Sequence, residues 1–380
     1  MTRTQEKHVP VGTAVLAAAA LVGAAGLTAC SSSAAGGDAI ALTATDSSCE
    51  AASTERPAGH HTFAITNKGS KVTEVYVYAP AGDGAFTKIV TEKENIGPGT
   101  SYDLTVSLEK GVYEIACKPG QKGDGIRQQL TVDAAGDATA DPAAAKAVAQ
   151  YRTYVQRQAD AVVPLVDAFV VAVKAGDVEK AKSLYAGSRV PWEAVEPVAE
   201  SFGDLDPRVD LREADLEPGQ EWTGWHRIEK ALWTDGDLSQ TRPVADQLAA
   251  DVRVLQERVA TADMTVASIG NGAKELLDEV ATGKITGEEE AFSHTDLVDF
   301  QANLDGAKKA YDVLRPLVSD TDLLDQLDVA FAAVQAELDK HRDGDTFVSY
   351  DTVTAPQRRE LARVVDGLGE PLSQLTAAAV

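Results

Sequence analysis

"AKAVAQYRTYVQRQADAVVPLVDAFVVAVKAG", Ala145–Gly176, decides the fold of the larger part of the chain. Apolar residues recur there at i, i+3, i+4 and i+7, the period of one helix face, and the run is too long for a strand. Pro164 lacks an amide hydrogen and crowds the preceding turn, so it is expected to kink the helix. The same period returns in "PWEAVEPVAESFG", "VADQLAADVRVLQERVATAD", "TVASIGNGAKELLDEVATG", "TDLLDQLDVAFAAVQAELDKHRDG" and "APQRRELARVVDGLGEPLSQLTAAA". Turn residues separate these stretches. An all-α domain over 143–380, built from packed helical bundles, follows.

Upstream the texture differs. "HHTFAITN", "KVTEVYVYAP", "SYDLTVSL", "GVYEIACKPG" and "IRQQLTVD" are short, rich in β-branched and aromatic residues, and mostly alternating. Gly, Pro, Asn and Asp fall between them. Short strands at this spacing predict a small all-β sandwich or barrel over 40–133. The segment 134–142 has no periodicity and reads as a linker. The chain is thus expected to be multidomain, an all-β unit followed by an all-α one.

The N-terminus carries Arg3 and Lys7 ahead of "VGTAVLAAAALVGAAG", a short secretory h-region that ends in "LTAC". A small residue before Cys30 resembles the lipobox of bacterial lipoproteins. That resemblance implies a signal peptide over 1–29, lipidation of Cys30 and a flexible tether over 30–39. The expected location is outside the cytoplasmic membrane, in a periplasmic-type space, held by lipid. In such an oxidising compartment Cys49 and Cys117 have a disulfide as their default. Closing that loop would constrain the unfolded chain by roughly 4 kcal/mol.

The 380 residues carry a formal net charge of −24. Such a chain repels nucleic-acid phosphates and anionic lipid headgroups. The charge suits a cationic ligand, and equally it serves solubility. Acidic residues gather at particular places. Glu193 and Glu196 stand three apart, Asp210 follows after a turn, and "EEE" supplies Glu288, Glu289 and Glu290. In "GWHRIEKALW", His226 and Glu229 share one helix face. Carboxylates with one imidazole suit hard cations, whereas thiolate would be needed for soft ones. A hydrolytic zinc usually sits between two histidines on one helix. Here the fourth position after His226 is Lys230, and His294 and His341 are the remaining imidazoles of this half. Trp222 and Trp225 are expected to pack beneath the site.

The motifs "PWEAVEPVAESFGDLDPRVDLREAD", "EWTGWHRIEKALW" and "EEEAFSHTDLVDFQANLDGAKKAY" resemble the imelysin-like (peptidase M75-like) family, and closely its EfeO branch. The resemblance spans nearly all of the mature chain. It implies a cupredoxin-like β-domain ahead of the helical metal-binding domain. It also implies an extracytoplasmic iron-binding lipoprotein, working with an EfeU-type iron permease and an EfeB-type haem peroxidase. By position, the family's HxxE motif falls on His226 and Glu229, and its carboxylate ligands on Glu193, Glu196, Asp210 and Glu289, for Fe3+ or Fe2+. Glu288 and Glu290 stay open as alternatives to Glu289. A second site implied in the β-domain falls on Cys49, Glu74 and Cys117, where thiolates would favour copper or another soft metal over Fe3+. A disulfide competes with that site. Two other functions compete with iron capture: an imelysin-type metallopeptidase, and an adhesion or polymer-binding lipoprotein.

Overall fold

The computed structural model describes residues 39–82, 84–133 and 141–380. The expected signal peptide, Cys30 and most of the tether and linker lie outside the described residues.

The first half is a two-sheet sandwich of β1 (Ile40–Ala44), β2 (Cys49–Ala51), β3 (Glu55–Pro57), β4 (Gly59–Asn67), β5 (Thr73–Pro80), β6 (Phe86–Ile96), β7 (Ser101–Leu108), β8 (Gly111–Cys117) and β9 (Ile126–Asp133). One sheet runs β2-β1-β4-β7 and the other β3-β9-β8-β5-β6. Strand β1 pairs with β4 in parallel, and β3 with β9. Alternation places Phe63, Ile65, Val75, Val77, Leu104 and Ile115 between the sheets, all 0–1% exposed. A disulfide joins Cys49 of one sheet to Cys117 of the other.

Strand β5 departs from simple alternation, because Thr73 to Tyr78 are all buried. Val75 and Val77 face the sandwich interior, while Tyr76 and Tyr78 stack at 5.3 Å on the outer face. A strand buried on both faces needs a cover, and on the outer face Ala116, Phe86 and Ile89 pack with the two tyrosines.

The helices are α1 (Pro142–Ala175), α2 (Val178–Glu193), α3 (Glu196–Glu200), α4 (Asp206–Val209), α5 (Gly224–Lys230), α6 (Arg242–Val259), α7 (Val266–Thr282), α8 (Asp296–Leu314), α9 (Thr321–Leu338), α10 (Ala355–Leu372) and α11 (Leu375–Ala379). Helix α1 starts on an Asp141 cap with Pro142 in its first turn, and stops at Gly176 with φ 73°. It runs through Pro164 without a break. Val162 and Val166 on either side of Pro164 are fully buried in the main core and keep the helix continuous there.

Helix α7 joins the two halves. Asn271 Nδ2 donates to Thr91 Oγ1 at 3.0 Å and to the Thr105 carbonyl at 2.7 Å, both in the sandwich. Its Oδ1 accepts from Thr376 Oγ1 of α11 at 2.9 Å. Lys93 of β6 pairs with Asp278. No helix among the described residues is long and apolar enough to cross a membrane.

Candidate metal centre

Two backbone contacts set the geometry of the centre. Gly224 opens α5 at φ +80°, and a Cβ there would lie 2.0 Å from the Val209 carbonyl oxygen. Helix α5 can therefore press its first turn directly against the end of α4, which brings Asp210 to His226. Gly306 in α8 does the same against the Ala194 carbonyl, where a Cβ would come within 2.4 Å. That contact lets Asn303 donate to both the backbone and the side chain of Glu193, at 3.0 and 3.1 Å. Gly224→Ala is expected to cost about 3 kcal/mol, combining a left-handed backbone with a forced overlap. It should also weaken cation binding by separating His226 from Asp210. Thermal melts and a metal titration of the variant check both, and a neutral substitution would mean that α5 is free to move.

The six residues expected in the helical site converge. Glu193, Glu196, Asp210, His226, Glu229 and Glu289 are all buried, from 0 to 7% exposed. His226 Nδ1 meets Glu229 Oε2 at 3.0 Å, and Nε2 lies 3.3 Å from Asp210 Oδ1 and 3.6 Å from Glu289 Oε1. The other oxygen of Glu229 accepts the amides of Phe292 and Ser293 at 3.0 and 2.7 Å. These bonds fix Glu229 as a holder of the imidazole ring. Asp210, His226 and Glu289 offer ligand atoms within 4.8 Å of one another, as do Glu193, Glu196 and Asp210, and His226, Glu229 and Glu290. Within "EEE", Glu288 is exposed, while Glu289 and Glu290 both point into the centre.

Two cations inside the centre escaped the sequence reading. Arg189, fully buried on α2, pairs with Glu193 one turn on, and with Asp210, Glu290 at 2.7 Å, Glu289 at 3.3 Å and Asp299 at 3.6 Å. Lys284 follows α7 and pairs with Glu193 at 2.6 Å, Glu196 and Glu279 at 3.1 Å, and Glu289 at 4.0 Å. The only local hint of Arg189 is its i, i+4 spacing to Glu193 on α2. Lys284 leaves no pattern at all.

Charge is divided within the cluster. Burial would raise Asp210, but Arg189 and His226 overcome this and hold it at about 2. Burial likewise opposes ionisation of Glu289, and Lys284, His226 and Arg189 hold it well below the carboxylate range. Burial and the nearby Arg189 would lower His226, but the carboxylates of Asp210, Glu229 and Glu289 around it win, and its pKa stands well above the ordinary value. Other carboxyls keep their protons. Burial and then Glu229 push Glu290 up to about 8, and burial with Glu279 raises Glu196 far above its usual range. Burial also raises Asp299, with Glu193 adding to it. Several buried polar atoms have no hydrogen-bond partner, among them His226 Nε2, Asp210 Oδ2 and both oxygens of Asp299. Orphaned acceptors beside an imidazole fit a cation held by oxygen and one nitrogen.

His294 and His341 do not belong to any of these ligand groupings. Trp225 packs edge-on against Trp192 at 5.7 Å and donates to Ser188, beneath the centre as expected. Trp222 precedes the helix, which begins at Gly224, and donates instead to the Leu211 carbonyl at 2.7 Å. In the sandwich the structure does not bring Glu74 to the cysteines. Val75, not Glu74, is the register partner of Cys117. Glu74 therefore emerges on the outer face, where it accepts from Tyr76 OH at 3.2 Å.

Residues 147–375 match the imelysin family, and residues 15–132 match the cupredoxin-like domain family. A sandwich followed by an imelysin domain is thus the class of protein that fold and sequence define. The iron uptake system component EfeO of Escherichia coli K12 and that of Shigella flexneri are each 38% identical over 348 residues, 88% of this chain and 90% of theirs. The chain belongs to the imelysin family, in its two-domain EfeO form. In fold it is also similar to a crystal structure from Parabacteroides distasonis, described as an iron-regulated protein A precursor. That likeness has a TM-score of 0.50 at 15% identity, over 64% of this chain and 98% of the other.

Proposed function

We propose that this protein captures iron outside the cytoplasmic membrane and passes it to a membrane permease. The observation that carries the reading is a pair of buried atoms without a hydrogen bond, Asp210 Oδ2 and His226 Nε2, the latter held only in ion-pair reach of Asp210 and Glu289. Asp210, His226 and Glu289 would be the inner ligands, with Glu193, Glu196 and Glu290 in reach. Glu229 orients the imidazole. Oxygen donors with one nitrogen and no thiolate favour Fe3+ or Fe2+. The EfeO relatives, named as iron uptake components, point the same way. Cys30 would anchor the mature chain by lipid, and an EfeU-type permease and an EfeB-type haem peroxidase would be its partners. The cysteine pair then braces the sandwich, and copper has no thiolate to bind while the disulfide stands.

Loading would be an exchange of charge. The incoming ion must displace the His226 proton and draw protons from Glu290 and Glu196, so uptake releases protons and is opposed by acid. Arg189 and Lys284 keep the carboxylates assembled, so the ligands need little rearrangement. Anaerobically purified protein should bind one iron in the helical domain with protons released to the buffer, and should leave unfolded casein intact. Iron-free protein with zinc-dependent cleavage of casein, lost in His226→Ala, would make it a metallopeptidase.

A further inference from the structure

Among the described residues, three arginine and lysine side chains touch the carboxylates of the centre. Arg189 and Lys284 are sealed in, with side chains 0 and 3% exposed, whereas that of Arg212 is 30% exposed. Its guanidinium is gripped unequally. Nε donates to Oδ2 of Asp215, a carboxylate at the surface, at 2.7 Å, while Nη1 reaches Glu289 Oε2 at 3.4 Å. The other oxygen of Glu289 faces inward, to Arg189 and His226. Arg212 thus stands between solvent and Glu289.

Gly283 leaves room for the guanidinium, since a Cβ there would come within 3.2 Å of Nη1. The segment that carries Arg212, residues 211–223, joins Asp210 to α5 and has no buried residue. Its two ends are fastened to each other and to α4. Trp222 Nε1 donates to the Leu211 carbonyl and Thr223 Oγ1 to that of Arg208, each at 2.7 Å. Between these ties Glu213, Asp215, Glu217 and Glu221 are all exposed, and the exposed Glu288 is close enough to attract Arg212 electrostatically. Carboxylates gathered at such a rim raise the local concentration of cations.

The geometry points to Arg212 as a gate that holds the place of the cargo: it neutralises Glu289 before loading, and yields that carboxylate to an incoming cation by passing wholly to Asp215. This role rests on the reading of the centre as a cation site, and it adds a release step. The exchange is local. One long contact to Glu289 is given up, the short one to Asp215 is kept, and the charge of Glu289 stays balanced throughout. Return of the guanidinium to Glu289 competes with the ion for the same oxygen and so helps to eject it. Arg189 and Lys284 are unsuited to this task, because each is enclosed by several buried carboxylates.

Stopped-flow binding of anaerobic Fe2+ to the full chain, read by tryptophan fluorescence and chased with ferrozine, tests the gate. R212Q should load about tenfold faster, the rate equivalent of one charge-assisted hydrogen bond, and should release more slowly, so that affinity rises. D215N removes the outer grip and leaves Arg212 with Glu289, so it should load more slowly and bind more weakly than the parent. R212K keeps the charge without the fork and should fall between the parent and R212Q. A merely structural Arg212 has the opposite sign, because Glu289 would lose a support and R212Q would bind more weakly. Weaker or parent-like binding in R212Q, with Fe2+ still bound by the parent, would overturn the gate alone. A parent that binds no Fe2+ would overturn the gate and the iron reading together.

Discussion

Arg189→Met is expected to remove about 3–5 kcal/mol of stability at neutral pH, the range for withdrawing one partner from a buried ion pair. Arg189 is fully buried and faces Glu193, Asp210, Glu289, Glu290 and Asp299. Methionine fills much of the volume but leaves these carboxyls with Lys284 and His226 as their remaining cations. The defect should shrink as pH falls. In the parent, Asp210 and Glu289 titrate below their usual values. Their stabilising effect is present above the unfolded carboxylate pKa and is lost as pH drops through the folded one. Without Arg189 those folded values rise, so the variant takes up protons on folding and is relieved by acid. Urea denaturation at pH 8 and pH 5.5 checks this. A loss of under about 1 kcal/mol, or a gap that widens in acid, would mean that Arg189 is not the keystone of the cluster.

Asp210→Asn with His226→Gln is expected to weaken iron binding by more than about 100-fold, beyond what loss of a merely supporting hydrogen bond costs. Helix content should be unchanged, since both side chains are replaced by near-isosteres. In the parent, affinity should climb with pH through the neutral range and towards pH 8. His226, whose pKa is raised by its carboxylate partners, must surrender a proton, and Glu290, raised by burial to about 8, must follow. The variant should show a shallower pH slope, because the imidazole proton is no longer part of the exchange. Titration calorimetry in buffers of different ionisation enthalpy measures affinity and proton release together. Parent-like affinity in the variant would move the site elsewhere.

Much of this was legible in the chain because it is local. Helix and strand periods need only a window of neighbours, so the change of texture after residue 133 separates the two fold types. His226 and Glu229 share a face by helix geometry alone. Recognition of long motifs added Asp210 and the "EEE" loop. What could not be read depends on contacts between distant segments. Arg189 and Lys284 are single basic residues whose burial is decided by four other elements. The family resemblance put Glu74 with Cys117, but the β5–β8 register sets Val75 opposite the cysteine. Pro164 marks a local strain in α1, but that the helix continues through it depends on the surrounding core.

Asn271 sits in α7 with its amide shared between two sandwich strands and the last helix of the chain. The protein has two apolar cores, but this one side chain makes them thermodynamically interdependent. Were the sandwich to loosen, a buried amide would lose the acceptors of both its protons, and the opening energy of one core would be charged with that of the other. Helix α7 leads on to Lys284 only a short turn later. The two halves are therefore expected to melt as one cooperative body, although each has an apolar core of its own.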